Sequence, residues 1–485
     1  MADAEEVPRH LRRPGEDGYR TPTIEDTERF LSLCDELHAT RVRSIGEAHA
    51  TALNTINDPT FRSIRSRVIE NASTDDGNSH HGIPPKPEEE EPENLSWKQR
   101  IRHFTWAYFT LTMATGGIAN VLYNIPSPYR FRGLETIGVV VFLLNIVLYL
   151  CIWACLIMRF YFFPYTFKAS FLHPTESLFV PATVVSFGTI LINISQYGPG
   201  KTGPWLVQAV HVLFWFDATL AVVLSASIYL LLWSTQTFTI AQMTPIWIFP
   251  AYPMLIIGPH AGVLSAHLNP SESLTIIIGG FTIQGVGFLV SLMVYSAFIY
   301  RLMTQKLPKE NIRPGMFVSV GPSAFTVAAV VNMAINAERA FPPDFMGNGA
   351  QAAMIVRVIA NFACLWLWGL AIFFFFIATF AHLFAIGQGR MIFSMAWFSF
   401  VFPNTALITA TFAIGKAYSC KPIEIIGLVM TILLILMYFF VVYMMIRAIR
   451  LRHILWPQKG EDKDEGGFRI KEIKPDAPQE GSRLV

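Results

Sequence analysis

The chain has 485 residues, of which 52% are hydrophobic and 13% aromatic, with only 15% charged and a formal net charge of +2. A soluble globular chain carries about a quarter charged residues, so this composition excludes an ordinary soluble domain and predicts a polytopic membrane protein with polar ends. A balance so near neutral gives no reason to expect a nucleic-acid partner.

Residues 1–97 are polar. Phe30, Leu31, Leu33, Leu37 and Val42 fall loosely at helical spacing, which predicts a surface helix over about 23–55. The stretch NASTDDGNSHHGIPPKPEEEEPEN (71–94) is rich in Pro, Ser and acid and is expected to be disordered and cytosolic. His80 and His81 within it read as a solvated pair rather than a metal site. No secretory signal is present, so the first membrane helix is expected to direct insertion.

Ten membrane segments follow, over about 104–123, 134–158, 178–197, 205–233, 244–265, 274–300, 316–335, 353–386, 392–415 and 423–446. The even-numbered segments are long and continuously apolar. The odd-numbered ones are shorter and interrupted, by TMATGG (112–117), by Pro181, by Pro250, Pro253 and Pro259, by Pro322 and by Pro403. The alternation is an internal repeat of five hairpins, each with one broken helix and one plain one. Interrupted helices at matching places in repeats point to a substrate path, although Gly and Pro also serve plain helix packing in membranes. The expected architecture is all-α: ten transmembrane helices as five hairpins, with the kinked odd-numbered helices around a central pore and the plain ones against the bilayer.

Basic residues collect on one side of these segments. Lys98, Arg100, Arg102, Arg159, Lys168, Arg301, Lys306, Lys309, Arg313, Arg390, Arg447, Arg450 and Arg452 outnumber the opposite set about two to one. That set is Arg130, Arg132, Lys201, Arg339, Lys416 and Lys421, with Arg357 at the start of segment eight. Both termini are therefore expected in the cytosol, as an even count of segments requires. Residues 98–456 read as the membrane domain and 457–485 as a cytosolic, disordered tail.

No Walker loop, GxSxG or HExxH stands out, so neither an enzyme nor an ATP-driven pump is expected. The five cysteines are scattered. Cys151 and Cys155 have no Cys or His partner at zinc spacing, so no metal, cofactor or disulfide framework is implied. The candidate path comprises Thr112, Thr115, Gly116 and Gly117 in the first segment, where paired glycines allow close approach. It continues with Arg313, Ser319 and Pro322 in the seventh segment, then Pro403 and Asn404 in the ninth.

Arg313 precedes a helix start, whose free N–H groups suit an anion, and its guanidinium offers a bidentate grip. A positive-inside marker explains the same residue equally well. Intramembrane ionisable groups are functional candidates, which singles out Asp217 and His260 as proton-relay candidates beside a hydrogen-bonded structural reading. His211 and Asp217, six residues apart, face different sides of their helix. Phe400 and Phe402 stand beside the bend expected at Pro403, where a ring can plug a narrow pore and swing away, although an aromatic on a membrane helix also serves plain packing.

The runs HFTWAYFTLTMATGG, HPTESLFVPA, PIWIFPAYP, RPGMFVSVGPSAF and WFSFVFPN resemble the fungal malic acid transporters of the tellurite-resistance/dicarboxylate transporter family. That family also holds sulfite efflux pumps and plant slow anion channels. The resemblance covers about residues 98–456 and implies ten helices around a pore, with a gating phenylalanine just before the proline of the ninth helix, here Phe402. It further implies plasma-membrane uptake of malate and other C4-dicarboxylates with protons and, by analogy, a homotrimer. A sulfite pump or gated anion channel on the same fold is the second reading. A membrane sensor signalling through residues 1–97 is a third.

Overall fold

The structure is a computed structural model that describes residues 95–235, 243–305, 307–308, 310, 312–383 and 391–456. The expected surface helix, the acidic linker, Arg390 and the C-terminal tail lie outside the described residues. All regular structure among the described residues is helical.

Helix α1 (Trp97–Arg102) precedes the first span, with Trp97 edge-on to Phe162 at 5.8 Å. The first hairpin pairs α2 (Phe109–Asn124) with α3 (Leu134–Phe162). Two short helices, α4 (Tyr165–Leu172) and α5 (Glu176–Phe179), lead to the second hairpin, α6 (Ala182–Tyr197) and α7 (Trp205–Thr235). The remaining three are α8 (Tyr252–Leu264) with α9 (Pro270–Thr304), α10 (Gly321–Ala340) with α11 (Gly349–Leu383), and α12 (Phe402–Ala417) with α13 (Lys421–Arg450).

Nine spans among the described residues are long and apolar enough to cross a membrane. The span ending in α2 is not one of the nine, because Thr110, Thr112, Thr115, Gly116, Gly117 and Asn120 dilute its apolarity. It still occupies the matching place in the first hairpin. The ends of the spans differ from expectation by a few residues. The seventh continues to Ala340 and the eighth starts at Gly349, because apolarity marks only the hydrocarbon-embedded part while the helix runs on into polar ends. A 35-residue helix such as α9 rises about 52 Å, well past a hydrocarbon core of about 30 Å.

The two helix types occupy different layers. In the spans of α6, α8, α10 and α12, 83% to 89% of residues are buried, against 22% to 33% in α3, α7, α9, α11 and α13. The plain helices turn large apolar side chains outward, such as Val140, Leu143, Val147 and Leu150 of α3. That is the surface a bilayer covers. The inner helices pack in the order α2, α6, α8, α10, α12, and α12 closes back on α2. Each outer helix lies in the groove between its own inner helix and the next one in the ring.

Polar residues of the outer helices press into glycine notches of the inner ones. A Cβ on Gly116 would stand 2.6 Å from Asn145 Nδ2, and one on Gly188 would stand 2.8 Å from Asp217 Oδ2. Such small-residue contacts let membrane helices approach closely without a hydrophobic driving force.

On the side of the described termini, Arg159 at the end of α3 grips Glu176 of α5 with two bonds, of 2.5 and 3.3 Å. Ser170 adds a third to the same carboxylate at 3.0 Å. His173 Nδ1 accepts the N–H groups of Thr175 and Glu176 at 3.3 and 3.1 Å. The HPTES run thus builds a buried ionic corner that turns the chain from the first hairpin into the second.

Candidate functional site: an aromatic plug in a ring of helix starts

Every inner helix is returned by an outer one, so all five inner helices point the same way and begin in one layer. Each beginning is broken. A 3₁₀ turn precedes α2 (Trp106–Tyr108), α8 (Pro245–Ala251), α10 (Arg313–Val320) and α12 (Met395–Phe400). Before α6 the break is α5 followed by Pro181 at the N-cap. Proline opens the α-helical part of α8, α10 and α12, where its missing N–H removes nothing from the helix. This corrects the expectation of a bend at Pro403 in mid-helix: Pro403 starts α12, and the break lies at Val401. In α2 the break likewise falls at Trp106–Tyr108 and not at the glycine pair. The arrangement gathers five helix starts, with their positive dipole ends, into one level of the ring; the first N–H groups donate into the preceding turns, Tyr252 to Phe249 and Gly321 to Val318.

Aromatic rings fill the centre at that level. Phe402 stands 5.3 Å from Phe325 of α10 and 6.1 Å from Tyr252 of α8. Tyr252 in turn meets Phe325 at 6.1 Å and Phe249 at 5.3 Å. Helices α12 and α8 are not neighbours in the ring, so the contact between Phe402 and Tyr252 reaches across it. Phe402 is only 3% exposed. Tyr252 is fixed in turn by its hydroxyl, which donates to the Val318 carbonyl at 2.6 Å.

Phe400 lies one layer closer to the described termini and off this centre. It packs on Phe317 at 5.3 Å, His382 at 5.0 Å and Trp397 at 5.8 Å. Asn404 donates from Nδ2 to the Phe400 carbonyl at 2.8 Å. Its buried Oδ1 has no hydrogen-bond partner among the described residues. Gly117 backs onto Thr405, whose Oγ1 would stand 2.7 Å from an added Cβ; here α2 and α12 touch.

The other expected path residues face neighbouring helices. The Thr112 hydroxyl pairs with Ser186 of α6 at 2.8 Å, and that of Thr115 pairs with Tyr438 of α13 at 2.9 Å. Asn193 of α6 donates to the Gly116 carbonyl at 3.1 Å. Ser319 donates to Met316 at 2.7 Å, while its carbonyl receives the Tyr295 hydroxyl at 2.6 Å. Pro322 opens α10. Arg313 is buried, with Nε and Nη2 on the Pro308 carbonyl at 3.2 and 3.1 Å and Nη1 on the Ala381 carbonyl at 3.2 Å. The guanidinium therefore ties the connection before α10 to the end of α11.

Asp217 and His260 belong to a second place, the interface of α6, α7 and α8. Asp217 is fully buried, and neither carboxylate oxygen has a hydrogen-bond partner among the described residues. His260 meets Ser195 Oγ at 3.3 Å, with its tautomer unassigned, and packs on Phe214 at 5.2 Å. It lies eight residues beyond Tyr252, about 12 Å of helix rise from the plug. His211 faces Glu272 at 3.9 Å instead. Among the described residues no three His, Cys, Asp or Glu side chains cluster as a metal site would require.

Tyr252 and Phe325 were not singled out from the sequence, although a signal was there. FPAYP, GPSAF and VFPN each place an aromatic within three residues of a helix-starting proline.

Five parallel helices with broken starts, closed at the centre by rings and sheathed by apolar helices, define a membrane transporter or channel. The comparisons give the family. Residues 103–446 match the voltage-dependent anion channel family (SLAC1), and the chain belongs to it. It is 31% identical over 365 residues to the malic acid transport protein of Schizosaccharomyces pombe, covering 75% of this chain and 82% of that protein. It is 30% identical over 377 residues to a putative malic acid transport protein of the same yeast, covering 76% and 85%. A sulfite efflux pump of Trichophyton rubrum is 26% identical over 355 residues, covering 71% and 91%.

Proposed function

We propose that this protein carries malate and related C4-dicarboxylates across the plasma membrane, with protons moving alongside the acid. Phe402 is the gate, and both chain termini are cytosolic. The single observation that carries the reading is the contact of Phe402 with Tyr252 across a ring of helix starts, in a chain so similar to malic acid transport proteins. A helix start stabilises negative charge, so five at one level favour an anion at the point where the conduit is narrowest. Movement of one ring opens the path without rebuilding the bundle. Asp217 and His260 are the proposed proton relay, set beside the conduit between an inner and an outer helix. No step of this kind makes or breaks a covalent bond, so the protein works as a carrier and not as an enzyme.

The plug also supports a second reading, a gated anion channel or sulfite exporter on the same frame. Counterflow separates the two. Liposomes containing only this protein and loaded with unlabelled malate should transiently concentrate labelled malate from outside. Absence of counterflow, with anion current driven by voltage alone, would establish the channel.

A further inference from the structure

We propose that the conduit mouth opposite the chain termini holds a capture site for a dicarboxylate, formed by Asn332 and Arg339 of α10 with Thr409 and Lys416 of α12. This rests on the transport reading above. Phe325 and Phe402, whose rings meet at 5.3 Å in the plug, fix which face of each helix looks into the conduit. Seven residues on a straight helix return to within about 20° of the same face. Asn332 and Arg339 therefore stand above Phe325 on α10, and Thr409 and Lys416 stand above Phe402 on α12. The two adjacent helices thus carry matching columns: a ring in the plug, a neutral polar side chain one heptad outward, and a cation two heptads outward. The cations lie about 21 Å beyond the plug.

Contacts on the other faces agree with this placement. Thr326 receives Gln284 of outer helix α9 at 2.9 Å, and Thr411 receives Trp368 of outer helix α11 at 3.0 Å. The residues of the columns also change character with depth. Thr409 is buried, Asn332 is half-buried, and Arg339 and Lys416 are exposed. A widening mouth has that profile.

Neither cation at the mouth is held in an ion pair among the described residues, although Asp344 and Glu424 lie at the same end of the bundle. Glu338, next to Arg339, is taken by Arg357 at 2.5 Å. Glu135 pairs with Lys201. Arg339 uses only Nη2, on the carbonyls of Ser265 and Leu268 at 2.6 and 3.3 Å. Those bonds hold the guanidinium over the end of α8 and leave Nε and Nη1 without a partner among the described residues. Lys416 has no ion pair among the described residues. Adjacent packed helices lie about 8–10 Å apart, so two cations at matching height present one charge to each end of a short dicarboxylate. Below them the Asn332 amide supplies uncharged donors as the acid moves inward and sheds water. Thr409, whose hydroxyl donates to the Thr405 and Ala406 carbonyls of its own helix at 3.1 and 2.9 Å, lines the passage without donating to the acid. A monocarboxylate engages only one of the two cations, so the pair selects for two carboxyl groups.

The test is equilibrium binding of labelled malate and labelled lactate to the purified full-length protein, with uptake measured in liposomes beside it. Lys416→Gln, an exposed change, should weaken malate binding about fivefold at low salt and leave lactate nearly unchanged. Arg339→Gln should do the same, weakening malate and sparing lactate, a selectivity that loss of the cap on the Ser265 and Leu268 carbonyls alone would not produce. Arg357→Gln, on the same face but paired with Glu338, should change neither ligand. The loss in Lys416→Gln should shrink at 1 M salt, where screening acts within about 3 Å. Unchanged malate binding in Lys416→Gln overturns the site, as does an equal loss for malate and lactate. Wild-type protein that binds malate but does not transport it would refute the transport reading and leave the site standing. Wild-type protein that binds no malate refutes the site.

Discussion

Replacing Phe402 by alanine should open the conduit. The ring makes two aromatic contacts, with Phe325 at 5.3 Å and Tyr252 at 6.1 Å. Each such contact contributes about 0.5–1.5 kcal/mol, so the closed arrangement loses about 1–3 kcal/mol relative to an open one. A shift of that size changes an equilibrium about 5- to 150-fold, and leak should rise within that range. Removing a buried phenylalanine elsewhere would threaten folding, at about 3–5 kcal/mol. Here the space borders a conduit that water can enter, so the protein should still fold. The assay is anion current across planar bilayers holding equal amounts of wild type and Phe402→Ala, with monodispersity in detergent as the folding control. Phe400→Ala, which removes contacts to Phe317, His382 and Trp397 away from the ring centre, should leak much less. Well-folded Phe402→Ala that conducts no more than wild type would refute the assignment of this ring as the gate.

Arg313→Gln should lower thermal stability by about 1–3 kcal/mol, because buried carbonyls of Pro308 and Ala381 lose charged donors. The KM for malate should not move; a clear rise in KM at unchanged stability would return Arg313 to the role of anion grip. Glu176→Gln should destabilise the fold by about 3–5 kcal/mol, since it leaves Arg159 buried without its partner. Replacing both residues by apolar ones of similar size should recover much of that loss in the same melting experiment. Asp217→Asn should abolish acidification that accompanies malate influx while leaving assembly intact, read with a pH dye inside liposomes. Full acidification in that variant would remove Asp217 from the relay.

The layering of the bundle was legible in the sequence because membrane solvation writes it there. Helices facing lipid must be apolar over their exposed face, as α3 is, with Asn145 and Arg159 turned inward, whereas helices shielded by others tolerate Thr112, Asn193 or Pro259. The plug was legible only in part. Phe402 stood out beside Pro403, but Tyr252 and Phe325 lie some 150 and 77 positions earlier in the chain, and no local pattern reveals that these helices meet. The ring order supplies that information.

The breaks lie where Pro181, Pro250 and Pro322 mark them in three segments, and away from the expected place in the first and ninth, at Trp106–Tyr108 and Val401. A proline reads the same in sequence whether it kinks a helix or opens one, and the preceding 3₁₀ turns decide which. Thr112 and Thr115 show a further limit. Three residues apart, they sit on one broad face of α2, yet one bonds to α6 and the other to α13. Arg313 looked like an anion grip from its place before a helix start, but the carbonyls that occupy its guanidinium come from a loop and from α11, 68 positions away.

The most direct test of the account follows labelled malate and internal pH together in liposomes containing only this protein, with acid outside. Proton-coupled transport predicts malate accumulation matched by acidification, both abolished by a protonophore, in excess of passive entry into protein-free liposomes. Malate or other anion flux that follows voltage alone, with no proton movement, would contradict it.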